Sequence, residues 1–254
     1  MPATRTSRIS RPLVTWITGV LLAAGCMAAQ AANFIVSPVR AELSPGQSSA
    51  ALTVTNETSD EPVVVELRAI AWSQKDGEDI YTPTTELIAT PPIFHVAPGG
   101  SQVVRVALRR PPASDRETAY RLILREVPPP PKPGFAGIQI ALEMSLPVFA
   151  KPRAPTAPAL QWKLESQPGG AIGLSVHNQG SAHAQIADLK LLAPGIEQPV
   201  GTFSQFAYIL PGETRHLPIE RGQGVLPETV GSSLHLTAYS DAGEIDARLA
   251  PEQR

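Results

Sequence analysis

The feature that most constrains this chain is a strict alternation of apolar and polar residues, broken at short intervals by turn dipeptides. Leu52 and Val54 alternate with Thr53 and Thr55. Val104, Val106 and Leu108 alternate with Arg105 and Ala107, and Ile172, Leu174 and Val176 with Gly173, Ser175 and His177. Leu234, Leu236 and Ala238 alternate with His235, Thr237 and Tyr239. A period of two puts alternate side chains on opposite faces of a strand, so one face packs and the other meets water. Between the runs sit Pro45-Gly46, Asp76-Gly77, Pro98-Gly99-Gly100, Pro168-Gly169-Gly170 and Pro211-Gly212. Proline presets φ and glycine supplies the left-handed backbone that turns require. No stretch carries a capped helical period. With 19 glycines and 27 prolines in 254 residues, a helical bundle or coiled coil is excluded and an all-β architecture of sandwich or barrel type is expected.

The first 31 residues have a different character. Arg5, Arg8 and Arg11 precede a short apolar run from Leu13 to Ala24, and Ala29-Gln30-Ala31 fits a small-residue cleavage site. Residues 1–31 are therefore expected to be a secretory signal peptide, removed after Ala31. Ala23-Ala24-Gly25-Cys26 is the alternative, a lipobox-like sequence that would leave a lipidated Cys26. Removing the three arginines leaves 18 basic against 23 acidic residues, a net charge of −5 with histidine neutral. Such a surface does not attract a polyanion, so nucleic acid is not an expected partner. The only cysteine, Cys26, lies in the same segment, so the mature chain has neither disulfide nor thiol chemistry.

The mature chain divides near its middle. Three prolines between Lys151 and Pro158 remove donors and fix φ, which no central strand tolerates. The expected organisation is one sandwich over 32–151, a stiff connector over 152–158 and a second sandwich over 159–254, each of immunoglobulin size. Thr53-Val54-Thr55-Asn56 and Ser175-Val176-His177-Asn178 occupy similar places in the two halves, each before a polar loop.

Catalytic patterns are absent. His95, His177, His183, His216 and His235 form no metal-ligand spacing and are expected to be solvated strand and loop residues. There is no nucleophile elbow and no phosphate loop. The acids Asp76, Glu78 and Asp79 suit a hairpin tip, and Asn56-Glu57-Thr58, formally a glycosylation sequon, suits a polar turn. No cofactor or metal is expected, and the chain is not expected to be an enzyme.

One strand stands apart. From Gly137 to Pro147 the alternation runs longer than anywhere else, with Ile138, Ile140, Leu142, Met144 and Leu146 on one face. By periodicity alone it reads as an ordinary core strand; against that, it follows the proline-rich stretch Pro128–Gly134 and exceeds the usual strand length of about 5–6 residues, and the alternative is a start that extends beyond the sheet as an apolar edge. Such an edge is an aggregation hazard unless a partner covers it.

Five segments, in order, resemble the periplasmic chaperones of chaperone–usher pilus assembly. They are Ile35-Val36-Ser37-Pro38-Val39-Arg40, Ala89 to Pro98, Tyr120 to Pro129, Ile138 to Pro152, and Ala238-Tyr239-Ser240-Asp241-Ala242-Gly243. The resemblance implies two immunoglobulin-like domains in an L shape. It also implies a donor strand whose alternate residues, Ile138, Ile140, Leu142, Met144 and Leu146, complete an unfinished pilus subunit. The implied partners are pilus subunits and an outer-membrane usher, with self-association of the free protein left open. The family's cleft also holds a basic pair that anchors the subunit's terminal carboxylate. Arg40 matches one member, but Pro147 stands where the other, a lysine, is expected. Arg121, Arg125 and Lys151 are the nearest substitutes. Ser145-Leu146-Pro147-Val148-Phe149 is similar to the divergent archaic or alternative branch. The competing expectation is a secreted binding or adhesion module, for which surface aromatic clusters would speak; Trp72 and Trp162 lie in different halves and Trp16 in the leader.

Overall fold

A computed structural model describes residues 34–58, 60–112, 114–131, 133–134, 136–166, 172–223 and 233–250. The expected leader, Cys26 and the Pro168-Gly169-Gly170 turn lie outside them. The described residues contain no α-helix. In chain order the first half comprises β1 (Phe34–Ser37), β2 (Ala41–Leu43), β3 (Ser49–Asn56), β4 (Val63–Lys75), β5 (Glu78–Pro83), β6 (Leu87–Thr90), β7 (Ile93–Val96), β8 (Ser101–Leu108), β9 (Thr118–Glu126) and β10 (Glu143–Ala150). The second comprises β11 (Leu160–Ser166), β12 (Ile172–Asn178), β13 (Ala184–Leu192), β14 (Gly201–Ile209), β15 (Thr214–Leu217), β16 (Glu220–Arg221), β17 (Leu234–Ser240) and β18 (Gly243–Leu249).

Each half packs two sheets. In the first, a four-stranded sheet in the order β1-β3-β8-β6 faces a six-stranded sheet in the order β2-β10-β9-β4-β5, with β7 also on β4. In the second, β11-β12-β15 faces β16-β14-β13-β17-β18. Every ladder is antiparallel except the short β2–β10 pair. The expected alternation holds: Leu52, Val54, Val104 and Val106 are buried while their neighbours are not. Each such side chain contributes about 1.5–3 kcal/mol on burial. Asp76 and Gly77, both at positive φ, close β4 onto β5, the conformation that Asp-Gly supplies most readily.

The two halves share one device. Asn56, at the end of β3, is fully buried and donates to the carbonyls of Glu61 and Val96, while its Oδ1 accepts the Thr58 N–H. Asn178, at the end of β12, is equally buried, donates to the carbonyls of Ala182 and Ile209, and accepts the Gly180 N–H. Each amide closes the polar loop that follows its strand, which explains the similar sequence around the two residues. The polar turn expected at Asn56-Glu57-Thr58 is closed by this amide, with the Thr58 N–H and hydroxyl both donating to Asn56 Oδ1.

A third, smaller core joins the halves: Trp72, Ala119 and Phe149 from the first pack with Tyr208 and Leu210 from the second. Asn178→Ala orphans two buried carbonyls and two N–H groups. Urea denaturation is expected to show a loss of about 2–4 kcal/mol, at or above the usual cost of one unmade buried hydrogen bond.

Candidate functional site

The antiparallel register of β10 on β9 runs from Glu143 opposite Arg125 to Ala150 opposite Thr118. On its other side β10 pairs with β2 only over Val148–Ala150. From Glu143 to Pro147 that outer edge has no partner strand among the described residues. Pro147 is compatible with this position because a residue without an N–H fits where the donor would face an open edge.

The alternating run does not enter the ladder at residue 137. Pairing starts only at Glu143, and 138–142 continue outside any strand. The cause lies opposite: β9 ends at Glu126, and the prolines from Pro128 to Pro131 offer no N–H groups with which to extend the ladder. Glu126 instead holds the root of the segment. Its N–H donates to the Leu142 carbonyl at 2.8 Å, and its Oε2 accepts the Leu142 N–H at 3.1 Å. Farther out, the Gln139 amide donates to the Pro129 carbonyl.

The five alternating side chains divide accordingly. Ile138 and Ile140 are 89% and 83% exposed. Leu142 and Met144 are half-buried against the first core, and Leu146 lies inside it. The result is a narrow apolar edge that projects from the sheet and is continuous with the core behind it.

The four basic residues near this edge fall into different surroundings. Arg40 Nη1 donates to Asp241 Oδ2 at 3.1 Å, and its Nη2 lies 3.4 Å from Glu42. Lys151 binds the other oxygen of Glu42 at 2.6 Å and is the main cause holding that carboxyl below its ordinary value. Arg125 is exposed, opposite Glu66 on β4 and Glu143 on β10. Arg121 is directly opposite Pro147, so the two side chains emerge side by side on one face. Its guanidinium carbon lies 3.7 Å from the Trp72 ring centroid and 5.6 Å from that of Tyr208. Its Nε is buried with no hydrogen-bond partner among the described residues.

Beside this site is a polar junction that the sequence did not announce. His183, expected to be solvated, is buried at 6% exposure. Its ring stacks on Phe149 with centroids 3.5 Å apart and planes 7° apart. Nδ1 faces Glu117 Oε1 at 2.5 Å and Nε2 faces Asp241 Oδ2 at 3.1 Å. Burial favours the neutral ring, but the hydrogen bonds and charges of Asp241 and Glu117 outweigh it and raise the His183 pKa above its ordinary 6.5. For Asp241, burial raises the pKa. The His183 hydrogen bond, the Gln185 N–H and the charges of His183 and Arg40 prevail and hold the carboxyl at about 2 against an ordinary 3.8. Gln74, also buried, donates to the Tyr208 carbonyl and accepts the Leu210 N–H, both at 2.9 Å, which fastens β4 to β14. The partners of His183 are distant in sequence, so spacing alone could not reveal them. The one available signal was the Asp241 turn.

Two antiparallel sandwiches with an apolar segment projecting from an incompletely paired strand give the two-domain, immunoglobulin-like fold of solved pilus chaperones. Residues 33–156 match the family model described as "Pili and flagellar-assembly chaperone, PapD N-terminal domain". The chaperone protein PmfD of Proteus mirabilis is 27% identical over 59% of this chain and 59% of its own length. The chaperone protein PapD of Escherichia coli is 30% identical over 49% of this chain and 51% of its own length. The chain thus spans between half and two thirds of these relatives. The crystal structure of the CsuC–CsuE chaperone–tip adhesion subunit complex, from the archaic chaperone–usher Csu pili of Acinetobacter baumannii, aligns with a TM-score of 0.66. It has 20% identity and covers 87% of this chain and all of that one.

The depressed pKa of Asp241 has a direct consequence. Its stabilising contribution is present above 3.8 and is lost as pH falls through about 2. Acid titration of stability is expected to show this component in the parent protein and not in Asp241→Asn, as followed by urea midpoints across that window.

Proposed function

We propose that this protein is a periplasmic pilus-assembly chaperone that lends the edge of residues 138–147 to an incomplete subunit and passes the subunit to an outer-membrane usher. The observation that carries this is the open edge of β10, headed by Ile138 and Ile140 at 89% and 83% exposure. An open strand edge offers main-chain hydrogen bonds, and alternate apolar side chains offer pocket-filling anchors, which is the chemistry of strand addition. Ile138 and Ile140 enter first, Leu142 and Met144 follow from their half-buried places, and Leu146 keeps the segment continuous with the chaperone's own core. Burial of the two isoleucines contributes about 3–6 kcal/mol before the cost of ordering the segment. No nucleotide is needed, since release follows when another strand takes over the same groove.

The same reading takes 1–31 as the export leader, 152–158 as the connector and 32–151 and 159–254 as the two domains. For the subunit's terminal carboxylate it favours Arg121. Arg40 and Lys151 are engaged with the carboxylates of Glu42 and Asp241, whereas Arg121 lies beside Pro147 with the Tyr81 hydroxyl as a hydrogen-bond partner and an unpaired Nε. In the free protein the same edge is open to a second copy.

Two experiments test this. The double variant Ile138→Glu/Ile140→Glu is expected to unfold at the parent's urea concentration and to lose its co-purifying subunit when both are expressed in the periplasm. Undiminished recovery of the complex overturns the donor-segment assignment. Arg121→Gln is expected to weaken subunit binding by about ten- to a hundredfold, the value of a hydrogen bond to a charged group, with Arg125→Gln close to the parent. Equal affinities for parent and Arg121→Gln overturn the anchor.

A further inference from the structure

Six ionisable side chains form one continuous line across the junction of the halves. Lys151 meets Glu42 at 2.6 Å, and Glu42 meets Arg40 at 3.4 Å. Arg40 meets Asp241 at 3.1 Å, Asp241 meets His183 at 3.1 Å, and His183 meets Glu117 at 2.5 Å. Lys151, Glu42, Arg40 and Glu117 belong to the first half, and Asp241 and His183 to the second. Only two of these contacts cross the junction, Arg40 with Asp241 and His183 with Glu117. Arginine stays charged at every accessible pH, and histidine does not.

Charge alternates along the whole line only when His183 is an imidazolium. Nδ1 makes a hydrogen bond to Glu117, and Nε2 lies 3.1 Å from Asp241 Oδ2 as an ion pair without hydrogen-bond alignment, so a doubly protonated ring faces both carboxylates with matching charge. A neutral ring keeps one N–H and turns the lone pair of its other nitrogen toward a carboxylate. The surroundings offer that carboxylate little else. Glu117 Oε2 is buried without a hydrogen-bond partner among the described residues, and Oε1 keeps only the His183 backbone N–H at 3.2 Å. Every other group against the ring also bears on its charge. Phe149 presents its π face, which favours a cation. The Tyr208 ring centroid lies 5.8 Å away, with a phenol whose ionisation burial suppresses. Glu42 couples to His183 through space, and Arg40 and Lys151 balance that carboxylate and Asp241 from the far side.

We propose that His183 is a proton-operated clasp between the two sandwiches, closed as the imidazolium and released when the ring loses its second proton. Deprotonation removes the charge from one of three ion pairs across the junction and leaves Arg40–Asp241, Arg215–Asp79, the Gln74 amide and the Glu117 N–H on the Ser181 carbonyl as the remaining polar ties. The orientation of the halves then loosens on the side where His183, Phe149 and Glu117 meet. The sign follows from the raised pKa: the clasp is fully formed below 6.5 and is lost as pH rises through the folded-state value. This device does not depend on what the chaperone edge binds.

The test uses the mature protein, which is free of cysteine once residues 1–31 are removed. Spin labels on Glu57→Cys and Lys190→Cys, both exposed and one in each half, report the distance between the sandwiches by pulsed electron resonance. In parallel, NMR of the imidazole Cε1–H follows the titration of His183. The expected result is a narrow distance distribution below pH 6.5 that widens along the His183 titration curve, and a wide distribution at all pH values in His183→Gln. Titration of His183 below 6.5, a distribution indifferent to its protonation, or a His183→Gln variant matching the parent overturns the clasp. Should His183→Gln fail to fold, the titration and distance measurements on the otherwise unaltered chain decide alone.

Discussion

The pairing of β10 with β9 is the contact on which the rest depends. One register, Glu143 opposite Arg125 through Ala150 opposite Thr118, determines three things at once. It ends where the prolines after Glu126 can no longer pair, and so projects Ile138 and Ile140 beyond the sheet. It sets Pro147 beside Arg121, with an unpaired edge outside. It delivers Phe149 to the junction, where the ring meets Trp72, Tyr208 and His183. A shift of one residue would reverse every side chain in β10 and lose all three together.

The junction combines two kinds of force. The aromatic core of Trp72, Phe149 and Tyr208 supplies burial, which is strong but indifferent to direction. The line of charges from Lys151 to Glu117 supplies direction, since alternating signs and fixed hydrogen-bond geometry permit few relative positions of the two halves. Buried ion pairs contribute little net stability once desolvation is counted, so orientation is the more natural role for this network. Gln74 serves the same end with neutral atoms, donating to one backbone carbonyl of β14 and accepting an N–H just beyond it.

Much of this architecture was legible in the sequence. Alternation marked the core strands, the Asp76-Gly77 dipeptide marked its hairpin, and the similar runs around Asn56 and Asn178 marked a device used in both halves. The apolar edge was only half legible, because the alternation by itself read as a core strand and the proline-rich neighbour was the one sign against it. Two expectations needed correction for the same reason. The start of β10 depended on what stood opposite it, and the solvation of His183 depended on Phe149, Glu117 and Asp241, which approach it from three separate places in the chain.

The sequence by itself determined which residues alternate and where turns must fall, because these follow from backbone sterics and from the period of two. Only the tertiary structure decided which of the basic residues near the edge has a buried, unpaired Nε, and that a histidine without a motif lies buried between two carboxylates at the junction. Those outcomes rest on burial and on the approach of groups far apart in the chain. Local pattern does not encode such distances, and the energy of a charge depends on them more than on its identity.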